Sequence, residues 1–257
     1  MTQPVTPVPI AIIQIDQPMG DTVENWTPRP HPLSNPQYHI LQGQYCRLEL
    51  LNSTNDIVIQ QLYDVFKPTE DTHYKYLGYG PFKDVNEFKQ FVYIKEQPSS
   101  NTVLYTIFVN DIPVGFITYL RINQEHGTIE IGHVNFSQQL VRTRQATEAI
   151  FLLLQFAFDT LGYRRVEWSC NSLNMKSRRA ALRFGFQYEG TWLKAEVRKG
   201  RSRDNSWFSI VDDEWPQVKQ EFERWLNPEN FDINGQQLTK LNSAKVNPRR
   251  HKITDNN

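Results

Sequence analysis

The 257-residue chain carries 28 Lys plus Arg against 28 Asp plus Glu, a formal net charge of zero. That balance argues against a general nucleic-acid binder, whose affinity rests on excess basic charge. With 39% hydrophobic and 12% aromatic residues, the chain can fill the core of one large domain or two small ones. Only two cysteines occur, Cys46 and Cys170, which argues against a disulfide framework and for a reducing interior. The N-terminus has no basic segment followed by an apolar run, so no secretory leader is expected. The apolar run 145–161 falls short of the ~20 residues needed to span a bilayer and contains Gln155 and Asp159. A cytoplasmic protein, with the nucleus also open to it, is expected, without membrane or nucleic-acid partners.

Residues 1–42 are rich in proline, with Pro28, Pro30, Pro32 and Pro36 close together, and read as an extended arm or partly ordered lead-in. The globular unit is expected over 43–226. Tyr45–Leu51 alternates as a strand, and Asn52–Asn55 supplies cap chemistry for a helix over 56–66. Thr72–Phe82 is an aromatic loop, followed by a helix to about Lys95. Val103–Val109, Val114–Arg121 and Thr128–Val134 form a strand meander. A helix over 145–161 is apolar nearly all round, hence deeply buried, and Gly162 stops it. The strand Arg165–Cys170 follows at once, so a parallel pairing through a right-handed crossover is predicted. A basic helix over 174–184, strands at 186–189 and 206–211 joined by the basic connector 198–203, and a helix over 216–226 complete the unit. Residues 227–257 read as a disordered or surface-draped polar tail. Both 1–30 and 232–257 are expected to be dispensable for the fold.

Charge is uneven along this neutral chain. Between Val141 and Gly185 eight basic residues (Arg142, Arg144, Arg164, Arg165, Lys176, Arg178, Arg179, Arg183) face only Glu148, Asp159 and Glu167, a local excess of five. The turn into the buried helix, Val141-Arg142-Thr143-Arg144-Gln145-Ala146-Thr147, offers backbone N–H groups, the helix dipole and two arginines to an anion. The same turn also reads as a solvated helix start. Asn174 can cap the basic helix, which puts Ser177 in its first turn, either to donate a proton or to face water. On the strand before the buried helix, Glu130 points with Gly132, and His133 with Ile129 and Ile131. Glu130 is either a general base in a cleft or a solvated carboxylate, while His133 is expected in the core. Tyr74, Tyr76 and Tyr79 either wall an acceptor pocket or pack between helices. The histidines show no metal spacing, so no metal is expected.

Taken together, Glu130-Ile-Gly-His133, Arg142-Thr-Arg-Gln-Ala-Thr-Glu-Ala149, Leu161-Gly-Tyr-Arg-Arg-Val166, Asn174-Met-Lys-Ser177, Gly185-Phe186 and Glu189-Gly190 resemble the GCN5-related N-acetyltransferase (GNAT) superfamily. The branch most resembled contains the ribosomal-protein N-terminal-alanine and -serine acetyltransferases. The resemblance covers roughly 43–226. It implies an α+β fold, a single domain whose central mixed, twisted sheet is flanked by helices and split near its middle, with acetyl-CoA as cosubstrate. Pyrophosphate would meet the backbone from Val141 to Thr147, pantetheine would lie beside Val134, Asn135 and Phe136, and Asn174 would touch the cofactor. Glu130 would take the amine's proton and Ser177 would protonate the thiolate, since Ala181 stands where many members carry tyrosine. The family's phosphate turn reads Gln/Arg-x-x-Gly-x-Gly/Ala, and here Val141 and Arg144 replace its first residue and its glycine. The expected reaction is direct acetyl transfer to a primary amine, first a small molecule, second a protein N-terminus. A non-catalytic acyl-CoA-binding module is the rival, and the protein is expected as a monomer or homodimer.

Overall fold

The computed structural model describes residues 22–251. Eight strands form one sheet in the order β1-β2-β3-β4-β5-β6-β8-β7. They are β1 Ile40–Gln42, β2 Arg47–Leu50, β3 Thr102–Val109, β4 Ile112–Asn123, β5 Thr128–Phe136, β6 Arg165–Asn171, β7 Gln187–Arg198 and β8 Arg201–Val211. Every pairing is antiparallel except β5 with β6. The helices are α1 Asp56–Phe66, α2 Glu70–His73, α3 Val85–Glu96, α4 Arg144–Gln155, α5 Met175–Arg183, α6 Trp215–Leu226 and α7 Ser243–Val246. The α+β architecture and the parallel crossover are as expected from the sequence.

Side-chain alternation on the central strands builds two cores. Tyr105, Ile117, Ile131, Val166 and Phe208 face α4, α5 and α6, whereas Leu104 and Phe116 face α1 and α3. Because both faces of β3 and β4 are covered, those strands are nearly continuous in burial, as strands buried on two sides must be. On β6 burial alternates, so Glu167 and Ser169 point to a face that no helix covers. The helix ends follow local chemistry. Asn55, Asp84, Thr143 and Asn174 each accept a backbone N–H at a helix start. The buried helix leaves regular α geometry at Phe156–Thr160, a wider π turn, and reverses at Gly162, whose φ is +70°.

Three differences from the sequence expectation have physical causes. The basic stretch 198–203 is not a connector. It is the tip of a long β7–β8 hairpin turning at Lys199–Gly200, and its outer residues are largely exposed, so no apolar alternation marks it. The arm joins the sheet edge through β1, and before it the Trp26 indole donates to the Glu125 carbonyl at 2.8 Å. The C-terminal stretch packs instead of draping loosely. Leu241, Ser243 and Asn247 are buried, and Asn247 Nδ2 donates to the Gly185 carbonyl at 3.0 Å. Residues 1–21 and 252–257, part of the segments expected to be dispensable, lie outside the described residues. Truncation after Asp232 is therefore expected to destabilise the protein by at least ~2 kcal/mol, roughly the burial of one leucine alone. A thermal melt unchanged by the truncation would refute this.

Candidate functional site

β5 and β6 pair at only three positions, Thr128/Arg165, Ile129/Val166 and Glu130/Glu167, and separate beyond them. The cause lies partly in β5 itself. Its register against β4 steps from Thr118/Gly132 to Phe116/Asn135, so β5 carries an extra residue, and His133 there has φ +44°. Such a bulge bends a strand and ends its pairing on one side. β4 approaches closely at this point, since a Cβ on Gly115 would run into the Asn135 carbonyl. From Ile131 to Phe136 the β6-facing edge of β5 has no ladder, which leaves polar backbone open to an extended ligand. Val134 and Phe136 lie along this edge and pack on the main core.

The bulge also overturns one expectation. Strand alternation puts His133 with Ile129 and Ile131 in the core. The extra residue turns it to the opposite face, where its ring lies 5.1 Å from that of Tyr79. Burial, then the nearby cations Lys95, Arg198, Arg121 and Arg203, pull the imidazole pKa down to about 3, so this histidine is neutral near pH 7.

At the mouth of the split, α4 begins. Thr143 Oγ1 accepts the Ala146 N–H at 3.2 Å and donates to the Leu140 carbonyl at 2.7 Å. Val141 and Thr143 donate their N–H groups to Ser137 and Leu140. Among the described residues, no partner meets the N–H of Arg142, Arg144 or Gln145, so the predicted turn presents three open donors. The left-handed residue is Arg142, φ +65°, while Arg144 is helical and needs no glycine conformation. The Arg144 guanidinium stacks on Tyr45 at 4.3 Å, and Arg142 is exposed. Thr147 is buried, with its hydroxyl accepting from Arg183 at 3.1 Å.

Across the split, Asn174 Oδ1 caps Ser177 N–H at 3.2 Å. Ser177 Oγ accepts the Trp168 indole N–H at 3.0 Å, which holds the hydroxyl in place and leaves its proton to donate. The neighbouring Cys170 thiol is pushed up by burial, against the pull of the Ser177 hydrogen bond and of Arg178 and Arg203.

Glu130 is 2% exposed and fully engaged. Oε1 accepts Ser169 Oγ–H at 2.8 Å and Ser169 N–H at 3.2 Å, and Oε2 is paired with Arg121. Burial raises its pKa despite Arg121 and Ser169, which pull the other way. It is therefore not the solvated carboxylate that an open sheet face would carry. Arg121, φ +50°, stacks on Trp207 at 5.1 Å and lies in the lining of two clefts. One, of about 470 Å³, lies toward β7 and β8. The other, of about 420 Å³, lies toward the aromatic loop and α3. Glu130 lines neither, whereas its partner Arg121 lines both.

The three tyrosines part company. Tyr74 is core, stacked edge-on to Phe82, rather than a cleft wall. Tyr76 donates its hydroxyl to the Leu173 carbonyl at 3.2 Å. Tyr79 lines the smaller cleft, and its hydroxyl accepts from Asn135 Nδ2 at 2.8 Å. The Asn135 side chain is fully buried, tied also to His73 and the His133 carbonyl, so only its backbone is left for a ligand. The hairpin tip reaches over the loop, with Lys199 Nζ donating to the carbonyls of Tyr74 and Gly80 at 2.9 and 2.6 Å. Arg121, Lys95, Arg198 and Trp207 escaped the sequence reading because each comes to the clefts from a different element. Among the described residues, no group of three or more His, Cys, Asp or Glu could hold a metal ion, and no helix is long and apolar enough to cross a membrane.

Residues 47–187 match the model of the acetyltransferase (GNAT) domain family. A crystal structure of a GCN5-related N-acetyltransferase from Brucella melitensis superposes with TM-score 0.78 at 39% identity, covering 85% of this chain and 97% of that one. An uncharacterized N-acetyltransferase, YnaD, of Bacillus subtilis is 26% identical over 59% of this chain and 88% of its own length. The microcin C7 self-immunity acetyltransferase MccE, solved with acetyl-CoA and AMP, shares the fold at 23% identity and TM-score 0.59, over 66% of this chain and 93% of that one.

Proposed function

Because the chain belongs to the acetyltransferase (GNAT) family and is an N-acetyltransferase, we propose that it moves an acetyl group from acetyl-CoA to a primary amine of a small molecule in a ternary complex. The single observation that carries this is the divergence of β5 and β6 after Glu130 and Glu167, with the open donors of Arg142, Arg144 and Gln145 at its mouth. These donors and the two arginines fit a pyrophosphate. The open edge Val134–Phe136 fits an extended pantetheine, and Asn174 flanks it from α5. The amine nitrogen bonds to the thioester carbon as the C–S bond breaks. Glu130 takes the amine's proton through Ser169 Oγ, which donates to it, and Ser177 gives its proton to the leaving sulfur. Open N–H groups beside Val134 hold the developing oxyanion. A protein N-terminus, the acceptor in the ribosomal-protein branch that the motifs resemble, is the second reading, favoured by the hydroxyl at Ser177.

Binding to the native state raises stability by RT ln(1 + [L]/Kd), ~2.7 kcal/mol at a hundredfold excess of ligand over Kd. Millimolar CoA is therefore expected to raise the melting temperature, and Arg142→Glu with Arg144→Glu to abolish the rise. No shift in the unaltered protein would remove the cosubstrate assignment. Shift without thiol release on any amine would favour a non-catalytic acyl-CoA-binding module.

A further inference from the structure

The smaller cleft is lined by three cations, Lys95, Arg121 and Arg198, by the rings of Tyr79, Phe91 and His133, and by no carboxylate. Arg121 is paired with Glu130, and Arg198 with Glu196. Lys95 is half-buried at the end of α3, and the charge that acts on it is Arg198, another cation. No acid therefore balances Lys95 inside the cleft. His133 sits on the β5 bulge, so this cleft abuts the point where β5 leaves β6. An amine reaching the split from here would keep its other end among the cations.

We propose that this cleft is the acceptor's specificity pocket and that it selects amines bearing an anionic group, carboxylate or phosphate, on an aromatic or apolar body. The proposal rests on the acetyl-transfer reading for the amine end only. An anion beside Lys95 gains a charge-assisted hydrogen bond in a partly desolvated site. The rings of Tyr79, Phe91 and His133 give an apolar body a surface to stack on. A polyamine would instead bring like charge to three cations and be rejected. The volume of about 420 Å³ suits a small molecule rather than a folded partner.

Two arms test this separately on the full chain. Without acetyl-CoA, phenyl phosphate and phenylacetate are titrated calorimetrically against phenol and phenylacetamide. The anions are expected to bind about tenfold tighter or more, the scale of one charged hydrogen bond. Lys95→Gln should erase the difference, Lys95→Arg should restore most of it, and added salt should weaken it. With acetyl-CoA, thiol release is followed for phenylalanine against phenylalaninamide, for phosphoethanolamine against ethanolamine, and for spermidine. The anionic member of each pair should have the lower KM, and Lys95→Gln should raise that KM about tenfold. The larger preference between the two pairs says whether carboxylate or phosphate is read. Equal binding of phenylacetamide and phenylacetate, or spermidine as the best acceptor, would overturn the proposal. Anion binding without turnover of any amine would leave the pocket standing and remove the acetyl-transfer reading. Turnover without anion preference would do the reverse.

Discussion

Glu130→Gln is expected to lower turnover by roughly 10²–10⁴-fold near neutral pH, the usual range for loss of a general base. Glutamine keeps the size of the side chain and can still accept from Ser169. It can no longer take a proton. The pH profile carries the sign. Burial raises the Glu130 pKa above 4.5, so the carboxyl stays protonated to higher pH than a free glutamate. The basic form, and with it the rate of the unaltered enzyme, appears as pH rises through that elevated value. The variant should lack this limb and recover only at high pH, where the amine deprotonates unaided. Ser177→Ala removes help to the leaving sulfur instead, so its loss should not shrink with pH. CoA binding should survive both changes, since neither side chain is assigned to the phosphates. Unchanged activity of Glu130→Gln across the whole pH range would eliminate it as the base. His133 could not replace it, because an imidazole with a pKa of about 3 holds a proton too weakly to take one from an ammonium.

Glu148→Ala is expected to cost ~3 kcal/mol of stability, a shift of roughly 6–12 °C in melting temperature for a domain of this size. Glu148 lies in the first turns of α4 and is 4% exposed. Its carboxylate accepts three backbone N–H groups, from Gln44 at 2.8 Å and from Tyr45 and Cys46 at 2.7 Å each. Alanine would remove the partner of all three donors, and the buried Cys46 N–H alone costs ~1–3 kcal/mol when left unpaired. The segment these bonds hold leads into β2 and carries Tyr45, on which Arg144 stacks. Weaker CoA binding should therefore accompany the lower melting temperature. Glu148→Gln, which keeps one acceptor oxygen, should fall between. A melting shift of under ~2 °C for the alanine variant would show that water replaces these bonds at little cost.

Local chemistry along the chain was enough to place most of the elements, including the helix start at which the candidate site lies. Asn55, Thr143 and Asn174 cap where their side chains can reach a nearby N–H, an interaction that spans only three residues. The buried helix and the parallel crossover are likewise periodic or short-range features, and they stand where spacing put them. Glu148 shows where that reach ends. On the chain it is one charge set against eight basic residues, and its true partners are amides a hundred positions away. His133 shows a second limit. Its direction followed strand alternation until a single bulge residue, fixed by the pairing of β5 with β4, reversed it. The cations of the smaller cleft went unread for the same kind of reason. Lys95 comes from α3, Arg121 from β4 and Arg198 from β7, and nothing in their spacing links them. They share a cleft because α3 packs on β3, the neighbour of β4, and because the hairpin folds back over the aromatic loop. Short-range hydrogen bonds and periodic burial are written in neighbouring residues, whereas charge neutralisation and desolvation depend on which distant residues the finished fold brings together.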